Sequence, residues 1–244
     1  MSAARKAATV AAVGLAIASP IAQAVSGWGL DQAEFAAQGD STLRAAGWAF
    51  SIWTLIYAGL LAYAAYQSRT DRPVARALGW PAAAAIAGCG LWIWASAADV
   101  RWATVAIIVA SAAAAVTAVL RARDRAEDLK DRLLALWPLA LLAGWLTIAS
   151  AVNILTVLTA EGLVGDASRP AAYAGVAAVL LAALAMLRAG ASSVYAIPVA
   201  WGLIGVWAGE RADKPAVAAS AVAAAVVIVA YGAWRARPRR QVAI

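Results

Sequence analysis

Residues 133–159 read LLALWPLALLAGWLTIASAVNILTVLT, and no charged side chain interrupts the chain between Arg132 and Glu161. A helix needs roughly 20 apolar residues to cross a hydrocarbon core of about 30 Å, and this run exceeds that length. Working outward from it, the same test finds further spans near 7–25, 46–66, 77–98, 102–120, 171–187, 191–209 and 215–234, with every charged residue between or beside them. The predicted fold class is therefore an all-α integral membrane protein of about eight transmembrane helices. Composition agrees independently. A chain of 244 residues that is 64% hydrophobic and 14% charged, with a mean hydropathy of +0.76, has too little polar surface for a soluble domain.

Sorting the cations by connection predicts an orientation. One set of connections and both ends hold 15 of the 20 Lys and Arg residues, among them Arg5, Lys6, Arg69, Arg72, Arg76, Arg121, Lys130, Arg188, Arg235, Arg237, Arg239 and Arg240. The other set holds Arg44, Arg101, Arg169, Arg211 and Lys214. Short cytoplasmic loops carry the Lys/Arg excess, so both termini are expected in the cytoplasm. The net charge of +7 is thus a topology signal, joined to contact with anionic lipid headgroups, and nucleic acid is not an expected partner. Arg5-Lys6, the apolar run from Ala7 and Ala22-Gln23-Ala24 also fit a cleavable signal peptide. We read them as a retained first helix, because the apolar stretch continues to Val25.

Several chemistries are closed by counting. A single cysteine, Cys89, permits neither an intramolecular disulfide nor a thiolate metal cluster, and with no histidine there is no imidazole ligand, triad or proton relay. No metal site and no catalytic residue are expected. No Asp, Glu, Lys or Arg lies inside a span, which argues against proton pumps, voltage sensors and most ion-coupled carriers. Metal-dependent, triad and thiolate chemistry and the movement of ions are thus disfavoured.

What the spans do hold is tryptophan, 12 in all. Trp80, Trp137, Trp234, Trp48, Trp102 and Trp207 fall near span ends, where amphipathic rings settle at the headgroup level. Trp53, Trp92, Trp94, Trp145 and Trp201 are deeper. Asn153, eight residues after Trp145 and about 80° from it on a helix of 3.6 residues per turn, is the one amide well inside a span. Unpaired in hydrocarbon it would cost several kcal/mol, so it must face protein, water or a ligand. Aromatic walls with a few polar groups suit a flat apolar ligand, and they equally suit a packed core.

Elsewhere, small-residue faces and Gly205-x-x-x-Gly209 read as helix-packing surfaces, within the chain or in a homodimer. The hydrophilic connection 26–45 reads as a lid or a tether, and RARDRAEDLKDR at 121–132 as a solvated helical extension of its flanking spans.

The stretch Gly47-Trp48-Ala49-Phe50-Ser51-Ile52-Trp53-Thr54-Leu55-Ile56-Tyr57 resembles the signature that opens the second helix of the TspO/MBR family, the tryptophan-rich sensory proteins related to the peripheral benzodiazepine receptor. The spacing from Trp145 to Asn153, after Pro138, is similar to that family's fifth helix. The chain departs from the pattern at Ala45-Ala46, where prolines are usual, and in the third helix, which lacks the family's Asn. The resemblance covers residues 1–160 and implies a five-helix transmembrane bundle there. Residues 161–244 form a three-helix extension, as in a longer bacterial subgroup. What it further implies is a receptor or binding protein for porphyrins and other flat hydrophobic molecules, with roles in sensing or tetrapyrrole handling, in a bacterial cytoplasmic membrane.

The ligand-binding residues expected on these grounds are Trp53, Tyr57, Trp94, Trp145 and Asn153. A tetrapyrrole is the expected ligand, with no tightly bound cofactor. Two other classes stay open: a permease, for which Thr147, Ser150 and Thr156 are the only polar track, and a structural partner protein without a cavity.

The orientation has a direct test. A reporter fused at residue 126 should behave as cytoplasmic and one at residue 166 as exported; the reverse result would overturn the eight-span arrangement.

Overall fold

The computed structural model describes residues 2–236; Arg237, Arg239 and Arg240, counted above among the cytoplasmic cations, lie outside them. Among the described residues the regular structure is helical. After α1 (Ser2–Ser26) come a short α2 (Gln32–Ala37), a 3-10 turn at Gly47–Ser51 leading into α3 (Ile52–Ser68), α4 (Pro73–Ala97) and α5 (Arg101–Ala122). The single turn α6 (Leu129–Asp131) runs through a π turn at Arg132–Leu136 into α7 (Trp137–Ala160). Then follow α8 (Arg169–Arg188), a 3-10 turn at Ser193–Tyr195, α9 (Ala196–Glu210) and α10 (Pro215–Ala236). Seven helices among these residues are long and apolar enough to cross a membrane, and the protein is a multi-pass membrane protein. The eighth expected span corresponds to α9, which is shorter than these seven. Its 15 residues extend about 22 Å, and the preceding 3-10 turn adds about 6 Å, which brings it close to the hydrocarbon thickness.

The helices form two rings. In the first, α1 packs on α3 and α4, α4 on α5, α5 on α7, and α7 on α3, which closes a five-helix bundle. In the second, α7 packs on α8 and α9, and both of these on α10. Helix α7 belongs to both rings, so the residues beyond 160 are built directly onto the first bundle. Small residues permit the close approaches. A side chain on Gly90 would stand 2.8 Å from Leu15 of α1, and one on Gly202 2.8 Å from Ile148 of α7. The Gly205/Gly209 face packs within the chain, against Ala49 and the Arg44 carbonyl.

Two backbone irregularities fall at one end of the bundle. Helix α4 breaks at Gly79, whose φ of 50° is open to glycine at little cost, just before Pro81. The π turn ends at Trp137, whose N–H bonds the Arg132 carbonyl, immediately before Pro138 removes a donor from the ladder.

That end carries a polar network that differs from the solvated helix predicted for 121–132. Helix α5 stops at Ala122, residues 123–128 turn, and Asp131 is completely buried. Asp131 pairs with Arg72 at 3.1 Å and accepts hydrogen bonds from the Tyr66 hydroxyl and, at 2.9 Å, from the Glu127 N–H. Tyr66 and Arg72 come from α3 and the α3–α4 connection, so local charge alternation could not reveal them. Asp128 accepts the Asp131 N–H at 2.8 Å, which with Arg72 holds its carboxyl below the usual value of 3.8. A lowered carboxyl stabilises the fold above that value, and the contribution is lost as pH falls below it.

At the opposite end, the 27–46 connection is a strap fastened to three helices. The Leu30 N–H bonds the Ala97 carbonyl of α4, Asp31 and Glu34 form a capping box on α2, and Gly39 packs directly on the Thr156 carbonyl of α7. Lys214 donates to the Ser41 and Thr42 carbonyls at 2.6 and 2.8 Å and pairs with Glu210 at 2.9 Å. Glu210 accepts the Arg44 N–H at 2.6 Å, and both members of the ion pair are almost wholly buried.

Removing one member of a buried pair leaves the other charge uncompensated, at a cost of about 3–5 kcal/mol. Lys214→Met should therefore loosen the strap and expose Arg44 to limited trypsin digestion in detergent, while Glu210→Gln/Lys214→Met recovers part of the lost stability. Unchanged digestion of the single variant would show that the pair does not fasten the strap.

Candidate functional site

The Gly47–Ser51 turn sets the geometry of the first aromatic cluster. Its Ala49 carbonyl accepts the indole N–H of Trp201 from α9 at 2.8 Å, and Trp48 stands edge-on to the same indole at 5.0 Å. The Ala46 N–H bonds the Gly205 carbonyl at 2.9 Å, so α9 braces the start of α3 at two points. From there Trp53 and Tyr57, four residues apart and thus on one face of α3, stack at 5.0 Å with 28° between their planes. Trp145 of α7 meets Trp53 edge-to-face at 6.3 Å and Phe50 at 5.8 Å. These spacings lie within the range of favourable aromatic pairs, so the rings touch and leave no slot between them. Exposure is graded: Trp145 is buried, Trp53 and Tyr57 half-buried, and Phe50 exposed. The cluster therefore presents aromatic surface outward from a buried base.

A second group lies between α4, α5 and α7. The Trp92 indole N–H donates to the Asn153 side-chain oxygen at 2.7 Å, and the Asn153 amide donates to the Thr104 hydroxyl at 3.1 Å. Thr104 in turn donates to the Arg101 carbonyl at 2.6 Å. Phe35 from the strap is buried edge-on to Trp92, 5.9 Å away. The third group faces α1. The Trp94 indole donates to the Ser19 hydroxyl at 3.0 Å, and its ring lies 5.9 Å from Trp28.

The structure thus places the five expected site residues in three locations. Trp53, Tyr57 and Trp145 come together. Asn153 lies with Trp92, and Trp94 packs toward α1, because residues two apart on a helix point about 200° from each other. Phe50, Trp92, Thr104, Phe35 and Trp201 complete these groups and were outside the expected set. The exposure of Phe50 gave no sequence signal, whereas Trp92 was visible as one of the deep tryptophans. Of the polar residues on α7, Thr147 shares a 2.7 Å hydrogen bond with the Tyr195 hydroxyl, and the Ser150 hydroxyl is buried without a partner. Among the described residues no three metal-ligating His, Cys, Asp or Glu side chains converge.

A protein-family model described as TSPO-like protein matches residues 6–234. The chain belongs to the TSPO-like protein family. The match runs through residue 160, so it takes in the second ring as well as the five-helix bundle. No curated protein and no solved structure matches the chain. The helices holding the Trp53–Tyr57 stack and the Trp145-to-Asn153 spacing are therefore read within a family of TSPO-like membrane proteins.

Asn153→Leu deprives the Trp92 N–H of its acceptor and should lower thermal stability in detergent by about 0.6–2 kcal/mol. In a Trp92→Phe background the same substitution should cost measurably less. Equal costs in the two backgrounds would mean that the bond contributes nothing.

Proposed function

We propose that this TSPO-like protein is a membrane receptor that binds a flat hydrophobic ligand, a tetrapyrrole in the first instance, against the Phe50–Trp53–Tyr57–Trp145 cluster. The observation that carries the reading is the stacked Trp53–Tyr57 pair with Trp145 and Phe50 edge-on to it, assembled from both helices that resemble the family's motifs. A planar macrocycle gains about 1–3 kcal/mol for each aromatic face it stacks upon, and its periphery matches the apolar surroundings of a span. Half-buried rings offer such faces at the bundle surface, and deeper entry exchanges ring–ring contacts for ring–ligand contacts of the same kind.

Support for binding over turnover comes from what lines the cluster, which is aromatic carbon with the Tyr57 hydroxyl as its polar handle. The output is sensing or tetrapyrrole handling, with the termini in the cytoplasm and the protein in a bacterial cytoplasmic membrane. This orientation follows from the cation asymmetry.

Protoporphyrin should quench the tryptophan fluorescence of the purified protein saturably. Trp53→Ala or Trp145→Ala should weaken that binding by roughly 10 to 100 times, the equivalent of one lost stacking wall. Trp80→Ala, at an exposed belt position, should leave affinity unchanged. Equal effects at Trp80 and Trp53, or none at Trp53 in folded protein, would sink the reading.

A further inference from the structure

At the end of the bundle opposite the strap, a cleft of about 530 Å³ opens between the C-terminal part of α3 and the α6–π turn segment. Its two halves differ in chemistry. Ala62 and Ala65 of α3 and Leu134 of the π turn make one half apolar, while Arg69, Arg72 and Lys130 bring three cations and no carboxylate to the other. The Ala62–Arg69 stretch of α3 rises about 10 Å at 1.5 Å per residue, so the cleft runs from hydrocarbon depth to the headgroup level. These groups are independent of the aromatic cluster that the proposed function uses.

The cations are not equivalent. Arg72 is already committed: its guanidinium meets Glu127 and Asp128 at 2.9 Å and Asp131 at 3.1 Å. Those carboxylates hold it rigid and do not line the cleft. Arg69 donates only to the Ala65 carbonyl of its own helix, at 3.0 Å, and Lys130 lies 6.0 Å over the Tyr66 ring with no carboxylate partner among the described residues. Both are exposed. Arg69 and Lys130 come from opposite walls of the cleft, which Thr70 lines with them. An apolar trough ending in two cations that have no carboxylate partner among the described residues is complementary to an amphiphile with an anionic head.

We infer that this cleft is a discrete binding site for an anionic membrane phospholipid, its phosphate held by Arg69 and Lys130 and the start of an acyl chain lying along Ala62, Ala65 and Leu134. The phospholipid is favoured over a soluble phosphate because half of the lining is apolar and faces hydrocarbon depth. A general attraction of basic residues to acidic membranes would not require a shaped trough, nor prefer these two cations to others at the same end.

The test uses the full-length, delipidated protein and native mass spectrometry, with phosphatidylglycerol and phosphatidylcholine of equal chain length as probes. Phosphatidylglycerol should be retained in preference. Arg69→Gln/Lys130→Gln should weaken its retention about 30-fold, at a factor of about five per cation. Ala65→Leu, which fills the trough without changing charge, should weaken it too. Arg121→Gln/Arg188→Gln, removing two exposed cations from the same end, should leave it unchanged. Thermal unfolding recorded alongside confirms that each variant is folded, as expected for exposed positions. The inference is overturned if both lipids bind alike, if the Arg121/Arg188 pair costs as much, or if Ala65→Leu has no effect. Displacement of phosphatidylglycerol by equimolar glycerol 3-phosphate would also overturn it, making the site one for a soluble phosphate.

Discussion

In hydrocarbon a polar side chain has only protein to bond with, and the interior of this bundle is arranged around that shortage. Asn153 is the clearest instance. Its amide uses both ends, accepting from Trp92 and donating to Thr104, and in doing so ties α7 to α4 and α5. The indoles follow the same rule. Trp94 spends its N–H on Ser19 of α1, and Trp201 spends its own on the Ala49 carbonyl, just where the 3-10 turn delivers the chain into α3. Each bond has a partner from another helix, so satisfying the polar group and fixing the helix arrangement are one event.

This explains why α7 stands where it does. A helix shared by two rings must offer packing surface on nearly all sides, and its uninterrupted apolar run from Leu133 allows that. The second ring does not merely lie beside the first. Through Trp201 and Gly205 it braces the turn before Trp53, and through Lys214 and Glu210 it holds the strap. The orientation of the Trp53–Tyr57 stack therefore depends on residues almost 150 positions further along the chain.

The spans and the Gly205/Gly209 packing face were legible in the sequence because both depend on local composition: apolar length in one case, small residues at a four-residue interval in the other. The site was legible only in part. Trp53, Tyr57 and Trp145 could be anticipated from depth and motif, but Trp92 and Trp94 are equally deep, and only the positions of α1 and α7 decide which indole meets Asn153. Asp131 marks a different limit. Its neighbours in sequence are charged and exposed, and its burial rests on Tyr66 and Arg72, more than fifty residues away. The strap was readable as a connection but not as a packed element, since Phe35 carries no sign of Trp92 beneath it.

The fastening of the strap by Lys214 has a consequence for the order of assembly. Ser41 and Thr42 emerge early in synthesis, while their partner follows some 170 residues later. At translation rates of about 5–20 residues per second the strap waits roughly 10 to 30 seconds with two carbonyls and the Arg44 N–H unclaimed. Once residue 160 has been made, the first five spans are present while the strap across one end of them still lacks Lys214. The newborn bundle is thus accessible from that end until the segment between α9 and α10 has been made, and closure reports that the chain has been completed through α9.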